Sequence, residues 1–123
     1  MLRRLLFPVA LFAVALAAVG SSHASTRATP QLVGVSGPGF TISVKTTAGK
    51  AVKTLKTGKY TIKVADKSSI HNFHLIGPGV NKKTSVSGTG TQTWTVTLKP
   101  GKYTYQCDVH AATGMKGSLK VTT

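Results

Sequence analysis

Three side chains that can bind a soft metal ion lie close together near the end of the chain. Cys107, His110 and Met115 follow the spacing C-x2-H-x4-M. A thiolate, an imidazole and a thioether are three of the four groups that hold copper in sites built from two His, one Cys and a weak axial Met. Cys107 is the only cysteine in the sequence, so it cannot form a disulfide within the chain. This pattern predicts a copper site that needs one more histidine.

The missing histidine has two candidates upstream, His71 and His74. If this segment is a strand, His71 shares a face with Phe73 and Leu75, whereas His74 shares the less apolar face. We therefore predict that His71 binds the metal and that His74 lies at the surface or rim of the site.

Two other chemistries of Cys107 and His110 have less support. Cysteine and histidine also bind tetrahedral zinc, but zinc rarely recruits a methionine such as Met115. A thiol nucleophile would need an orienting third group and an oxyanion site, and neither is evident in the sequence. We therefore expect a metal-binding protein and not an enzyme.

The first residues predict export from the cytoplasm. Arg3 and Arg4 precede the apolar residues 5–19, a stretch that is short for a membrane span and typical of a secretory signal peptide. The small residues Ser22 and Ala24 suit cleavage after Ala24. We predict a signal peptide at 1–24, a short polar linker at 25–30, and a protein that is periplasmic, extracellular or at the cell surface. Retention of the apolar segment as an N-terminal anchor is the alternative.

The remaining residues, 31–123, predict a single all-β domain. In residues 91–98, Trp94, Val96 and Leu98 alternate with threonines, and residues 60–64 alternate in the same way. This period of two marks half-buried strands. Breaks that contain Gly or Pro separate the apolar segments. We predict an antiparallel Greek-key β-sandwich of about 7–8 strands.

The charge of the sequence is strongly positive. Sixteen Lys and Arg oppose two acidic residues, for a net charge of +14, which falls to +12 if Arg3 and Arg4 leave with a signal peptide. Lysines recur every three to five residues between Lys45 and Lys67, which predicts a solvated sheet face. Docking to an acidic partner, membrane headgroups or a cell-wall polymer is the alternative. Export, and the lack of lysine clusters on a helix or an aromatic-rich sheet, argue against nucleic acid.

Residues 101–117, GKYTYQCDVHAATGMKG, resemble the C-terminal signature of the plastocyanin branch of the cupredoxins, and His71-Asn72 resembles the upstream ligand of that family. The resemblance implies an eight-stranded Greek-key sandwich with one type 1 copper ion held by His71, Cys107, His110 and Met115. It also implies that Asn72 forms hydrogen bonds near the cysteine loop. The basic charge is the reverse of the acidic face of plant plastocyanin.

The resemblance further implies a one-electron carrier that cycles Cu(II) and Cu(I) between exported or membrane-bound redox partners. Electrons would pass through the edge of His110, where Ala111, Ala112 and the turn at residues 77–79 would allow close approach. We expect a monomer whose partners have acidic docking faces, with possible association at a membrane or cell wall. A copper-binding or delivery module without electron transfer is the alternative, although such modules carry more Met or His than this chain.

Overall fold

The computed structural model describes residues 20–23 and 27–123. The predicted signal peptide and the first residues of the predicted linker lie largely outside this part of the chain, so both stay predictions. Within the described residues, no helix is long and apolar enough to cross a membrane.

In the part of the chain that the structure describes, nine strands form two sheets around one apolar core. The four-stranded sheet has the order β2-β1-β4-β7 and the five-stranded sheet the order β3-β9-β8-β5-β6. The strands are β1 Gln31–Ser36, β2 Ile42–Thr46, β3 Thr54–Lys56, β4 Gly58–Asp66, β5 His74–Gly77, β6 Val80–Lys83, β7 Gly90–Leu98, β8 Gly101–Gln106 and β9 Lys116–Thr122, with a short 3-10 helix at Ala111–Thr113.

The predicted all-β sandwich is confirmed, and two details differ from the prediction. There are nine strands rather than seven or eight. The sheets are also mixed, because β1 runs parallel to β4 and β3 runs parallel to β9. Both parallel pairs join strands that are separated along the chain by other strands, since a tight turn connects only antiparallel neighbours. The residue pattern of a strand does not reveal its direction.

The alternation in the sequence locates the core correctly. On β7, Trp94, Val96 and Leu98 are buried while the threonines at 91, 93, 95 and 97 are exposed. The ring of Phe73, just before β5, is fully buried, stacked on Tyr105 at 6.2 Å and edge-on to Trp94 at 6.0 Å. Aromatic pairs at such distances add to the free energy gained from burial. This packing anchors the segment that carries His71.

Two connections lie side by side at one end of the sandwich. The first, residues 67–73, joins β4 to β5. The second, residues 107–115, joins β8 to β9, and β6 and β7 lie between the two connections in the sequence. Strands β5 and β8 are antiparallel neighbours with His74 opposite Gln106, so the start of β5 lies beside the end of β8. The candidate ligands all lie on these two connections.

Candidate metal centre

His71, Cys107 and His110 converge at this end of the sandwich. The two Nδ1 atoms of His71 and His110 are 3.0 Å apart, and Cys107 Sγ lies 3.8 Å from the first and 3.5 Å from the second. His71 and Cys107 are 0% exposed, whereas His110 is half-buried. Two imidazole nitrogens and one sulfur facing each other match the donor set of a trigonal copper site.

Hydrogen bonds within the 107–115 loop hold three of the predicted ligands in one compact unit. The Cys107 N–H donates to Met115 O (3.0 Å), and the Met115 N–H donates to His110 O (3.1 Å). Gly114 ends the 3-10 helix with φ +103°, a conformation that favours glycine. The side chain of Met115 is buried. Its role as a weak axial ligand stays a prediction.

His71 does not lie on a strand. Strand β5 begins at His74, and His71, Asn72 and Phe73 are all buried in the connection before it. Three consecutive buried side chains cannot come from the alternation of a strand. The argument from strand facing was therefore wrong, although the structure does bring His71, and not His74, to Cys107.

Buried polar side chains replace the strand hydrogen bonds that this connection lacks. Thr84 Oγ1 accepts from the Phe73 N–H and donates to Asp66 Oδ2, both at 2.8 Å. Ser36 Oγ donates to the Asn72 carbonyl at 2.9 Å. Thr84, Asp66 and Ser36 are all buried, as groups that satisfy buried backbone must be. The sequence analysis missed all three. The only signal was that Asp66 is one of two acidic residues.

Asn72 ties the two connections together. Its Oδ1 accepts from the Asp108 N–H at 2.8 Å, and its Nδ2 donates to Asp108 Oδ2 at 2.9 Å. Asn72 lies immediately after His71 and Asp108 immediately after Cys107. This reciprocal pair therefore links the backbones beside two predicted ligands, near the cysteine loop as the resemblance implied.

His74 belongs to a neighbouring polar cluster. Its Nδ1 lies 2.7 Å from Asp108 Oδ1 and its Nε2 lies 2.6 Å from Asn81 Oδ1. Partial burial raises the pKa of Asp108, but hydrogen bonds from Gln106, Asn72 and His74, with the charge of His74, outweigh it and lower the pKa to about 2. Both His74 nitrogens are thus engaged away from Cys107, at the rim of the site.

Phe40 covers both histidines and was also missed. Its ring centroid lies 5.1 Å from that of His71 and 5.0 Å from that of His110, edge-to-face in both cases, yet Phe40 is 65% exposed. The loop that carries it bends closely against the site. Gly37 has φ +73°, and a Cβ there would lie 3.3 Å from His71 Cδ2 and 3.1 Å from Ser68 Cβ. A single phenylalanine in a loop gives no signal of this role in the sequence.

The surface around His110 is partly as expected. Of the two small neighbours that were predicted to allow close approach, Ala112 is exposed and Ala111 is half-buried, and Val109 is exposed as well. The turn at residues 77–79, however, lies far from His110. The Tyr103 hydroxyl donates to Pro78 O (2.9 Å) near the beginning of β8, whereas His110 follows the end of that strand. That part of the prediction was wrong because β5 runs antiparallel to β8, so the turn that follows β5 lies beside the beginning of β8.

Comparison with known proteins agrees with this geometry. Residues 41–122 match the model of the copper-binding proteins of the plastocyanin/azurin family. No curated protein sequence matches the chain. At 22% to 24% identity, the likeness to solved structures shows the fold alone. Reduced rusticyanin has a TM-score of 0.54 at 22% identity, over 75% of this chain and 78% of that one. Rusticyanin from Thiobacillus ferrooxidans has a TM-score of 0.52 at 24% identity, over 75% of this chain and 76% of that one. Dithionite-reduced auracyanin from Roseiflexus castenholzii has a TM-score of 0.54 at 23% identity, over 79% of this chain and 100% of that one.

The family match extends from β2 to β9 and includes both connections that carry the candidate ligands. It confirms the resemblance seen in the 101–117 segment. The family and the group of His71, Cys107 and His110 fit a single type 1 copper site. The chain belongs to the plastocyanin/azurin family of copper-binding proteins.

Proposed function

We propose that this protein is a one-electron carrier that works outside the cytoplasm with one type 1 copper ion. The observation that carries the proposal is the convergence of His71 Nδ1, His110 Nδ1 and Cys107 Sγ, which lie within 3.8 Å of one another. Bound there, copper would supply the Cu(II)/Cu(I) couple. The polypeptide would supply the donor set, a fixed geometry and exclusion of water.

A fixed geometry is supported by hydrogen bonds that do not involve the donor atoms. The Cys107 N–H is bonded to Met115 O, and Asn72 is bonded to Asp108 in both directions. Groups held in this way need little rearrangement when the charge of the site changes, which favours rapid electron transfer. We further propose Met115 as the weak axial ligand that tunes the reduction potential.

His110 is the proposed route for electrons. His71 and Cys107 are 0% exposed, whereas His110 is half-buried. Phe40 beside it and the exposed Val109 give the surface near His110 two apolar side chains on which a partner could pack. The positive charge of the rest of the chain supports partners with acidic docking faces.

Burial of the donors counts against copper delivery, the alternative function. A protein that hands copper to another protein must let an incoming ligand reach the metal. Here the thiol of Cys107 is fully buried, and Phe40 covers the histidines.

Voltammetry of the copper-loaded full chain tests the proposal, with a Cu(I) chelator competition as the second arm. The proposal predicts a reversible one-electron wave with fast electrode kinetics and slow loss of Cu(I) to the chelator. A bound copper ion with no reversible wave that leaves rapidly to the chelator would favour delivery instead.

A further inference from the structure

Four lysines lie along the outer face of the five-stranded sheet. Lys102 on β8 and Lys120 on β9 are directly opposite each other in the antiparallel register. Lys53 is adjacent, because the Lys120 N–H donates to Lys53 O at 2.9 Å. Lys116 lies on the same face of β9, four residues and about 13 Å from Lys120. All four are exposed.

No carboxylate side chain balances these four lysines. The sequence has only two acidic residues. Asp66 is buried against Thr84, and Asp108 is paired with His74. Like charges directly opposite on neighbouring strands are destabilising. The fold therefore keeps Lys102 and Lys120 in an unfavourable arrangement that a bound anion would relieve.

The lysines line two adjoining concavities. One, of about 550 Å³, lies among Lys53, Lys102 and Lys120. The other, of about 390 Å³, lies between Lys102 and Lys116. Because both concavities include Lys102 and Ser118, they adjoin along β8 and β9, and we call them together the lysine groove. Its lysines extend over about 13 Å of β9, a distance that suits an extended chain better than a compact ion.

We propose that the lysine groove binds a linear phosphate polymer. Lysine binds phosphate as a point charge, and a linear polymer with a negative charge on every repeat could neutralise all four lysines at once. The hydroxyls of Thr104 and Ser118 face each other between the lysines and add hydrogen-bond donors. No aromatic side chain lines the groove, so it lacks the stacking platform of single-stranded nucleic-acid sites.

The lysine groove is separate from the copper end. Lys102 precedes Cys107 by five residues, about 16 Å along an extended strand. At the copper end the groove meets Asp108, whose Oδ1 accepts from Gln106 Nε2 at 3.0 Å. The protein could thus hold the polymer along its side while His110 stays accessible to a redox partner.

Titration calorimetry of the full chain with inorganic polyphosphate, at several salt concentrations, tests the proposal. The test variant is Lys102→Gln/Lys120→Gln. The matched control is Lys45→Gln/Lys63→Gln, which removes the same charge from the outer face of the other sheet, where Val33 separates the two lysines. In the test variant, the Kd should rise roughly tenfold at 0.1 M salt, and the slope of log K against log salt should shrink by about 1.4. In the control variant, the Kd and the slope should change little.

Three outcomes would overturn the proposal. Equal weakening in the two double variants would mean that only net charge matters. A membrane surface would be identified if vesicles rich in phosphatidylglycerol bound more tightly than polyphosphate and the test variant lost affinity for them to the same extent. A single-stranded oligonucleotide of equal charge that binds more tightly would identify nucleic acid. Thermal unfolding checks that each variant folds. Metal-free and copper-loaded protein should bind polyphosphate equally, so failure here leaves the redox function untouched.

Discussion

His110 differs from the other candidate ligands because it is half-buried, while His71, Cys107 and Met115 are buried. Burial of a thiolate and an imidazole is costly unless both are bound or paired. In the family to which this chain belongs, the metal meets that requirement. The half-buried edge of His110, beside Phe40, is where the proposed electron route reaches the surface.

Replacement of the two upstream histidines separates their roles. His71→Ala should abolish the blue copper site, because it removes the Nδ1 that lies 3.8 Å from Cys107 Sγ. His74→Ala should leave the site largely intact, because both of its ring nitrogens bond to Asp108 and Asn81. Visible absorption of the two copper-loaded variants is the measurement. Loss of colour in His74→Ala alone would overturn the assignment.

Met115→Leu tests the axial role. The two side chains have similar volumes, so the variant should lose less than about 1.5 kcal/mol of stability. The site should stay blue, and the reduction potential should rise, because a weak donor to copper is removed. Potentiometric titration of both proteins measures the change. An unchanged potential would mean that Met115 only fills the core.

At the scale of elements, two connections form the site and one side chain couples them. Residues 67–73 cross from β4 in the four-stranded sheet to β5 in the five-stranded sheet, whereas residues 107–115 join the neighbouring strands β8 and β9. Asn72 is 1% exposed and makes its three side-chain hydrogen bonds to Asp108 and Thr84. Removal of the Asn72 amide would take these hydrogen bonds from the Asp108 N–H, the Asp108 carboxylate and the Thr84 carbonyl.

Asn72→Ala should therefore lower the free energy of unfolding by about 1–3 kcal/mol. Asn81→Ala is the matched control, because Asn81 is an exposed asparagine that also bonds to a histidine of this region. Its effect should stay within about 0.5 kcal/mol. Urea denaturation of the metal-free variants gives both values. Equal effects would show that the buried amide of Asn72 does not couple the connections.

The sequence was sufficient to predict the parts of this fold that have a local signal. Alternation placed Trp94, Val96 and Leu98 in the core, and the spacing of Cys107, His110 and Met115 indicated a single loop. These features depend on neighbours along the chain, so periodicity and spacing reveal them.

Features that depend on distant segments were missed. Phe40 reaches His110 from a loop far earlier in the chain, and Ser36 bonds to Asn72. Phenylalanine is not unusual in a loop, nor is serine at a strand end. The residues around Phe40 and Ser36 therefore do not indicate which distant residue each one contacts. The parallel pairings of β1 with β4 and of β3 with β9 were not predicted for the same reason. Long-range contacts of this kind follow from topology, which a strand pattern alone does not specify.

At the scale of the whole molecule, charge is distributed without compensation. The two acidic side chains are engaged with Thr84 and His74, while the lysines between Lys45 and Lys67 are exposed, as the sequence predicted. The copper end, in contrast, presents Phe40 and Val109 to solvent. Long-range attraction and short-range packing thus belong to different parts of the surface.

Electron transfer should therefore depend on salt in a way set by the charge of the reagent. The rate constant with an acidic redox protein or an anionic reagent such as hexacyanoferrate should fall as ionic strength rises, because the screening length shortens to about 10 Å at 0.1 M. A cationic cobalt(III) complex should show the opposite trend. Stopped-flow rates that are flat for both reagents would mean that the lysines serve solubility without steering.

The central claim is that one copper ion is bound by the Cys107 thiolate together with His71 and His110. Titration of the metal-free full chain with Cu(II), followed by visible absorption, tests it most directly. The claim predicts an intense blue charge-transfer band that saturates at one equivalent, bleaches on reduction and is absent from Cys107→Ala. A Cu(II) complex that binds one equivalent but stays colourless, or colour that persists without Cys107, would contradict it.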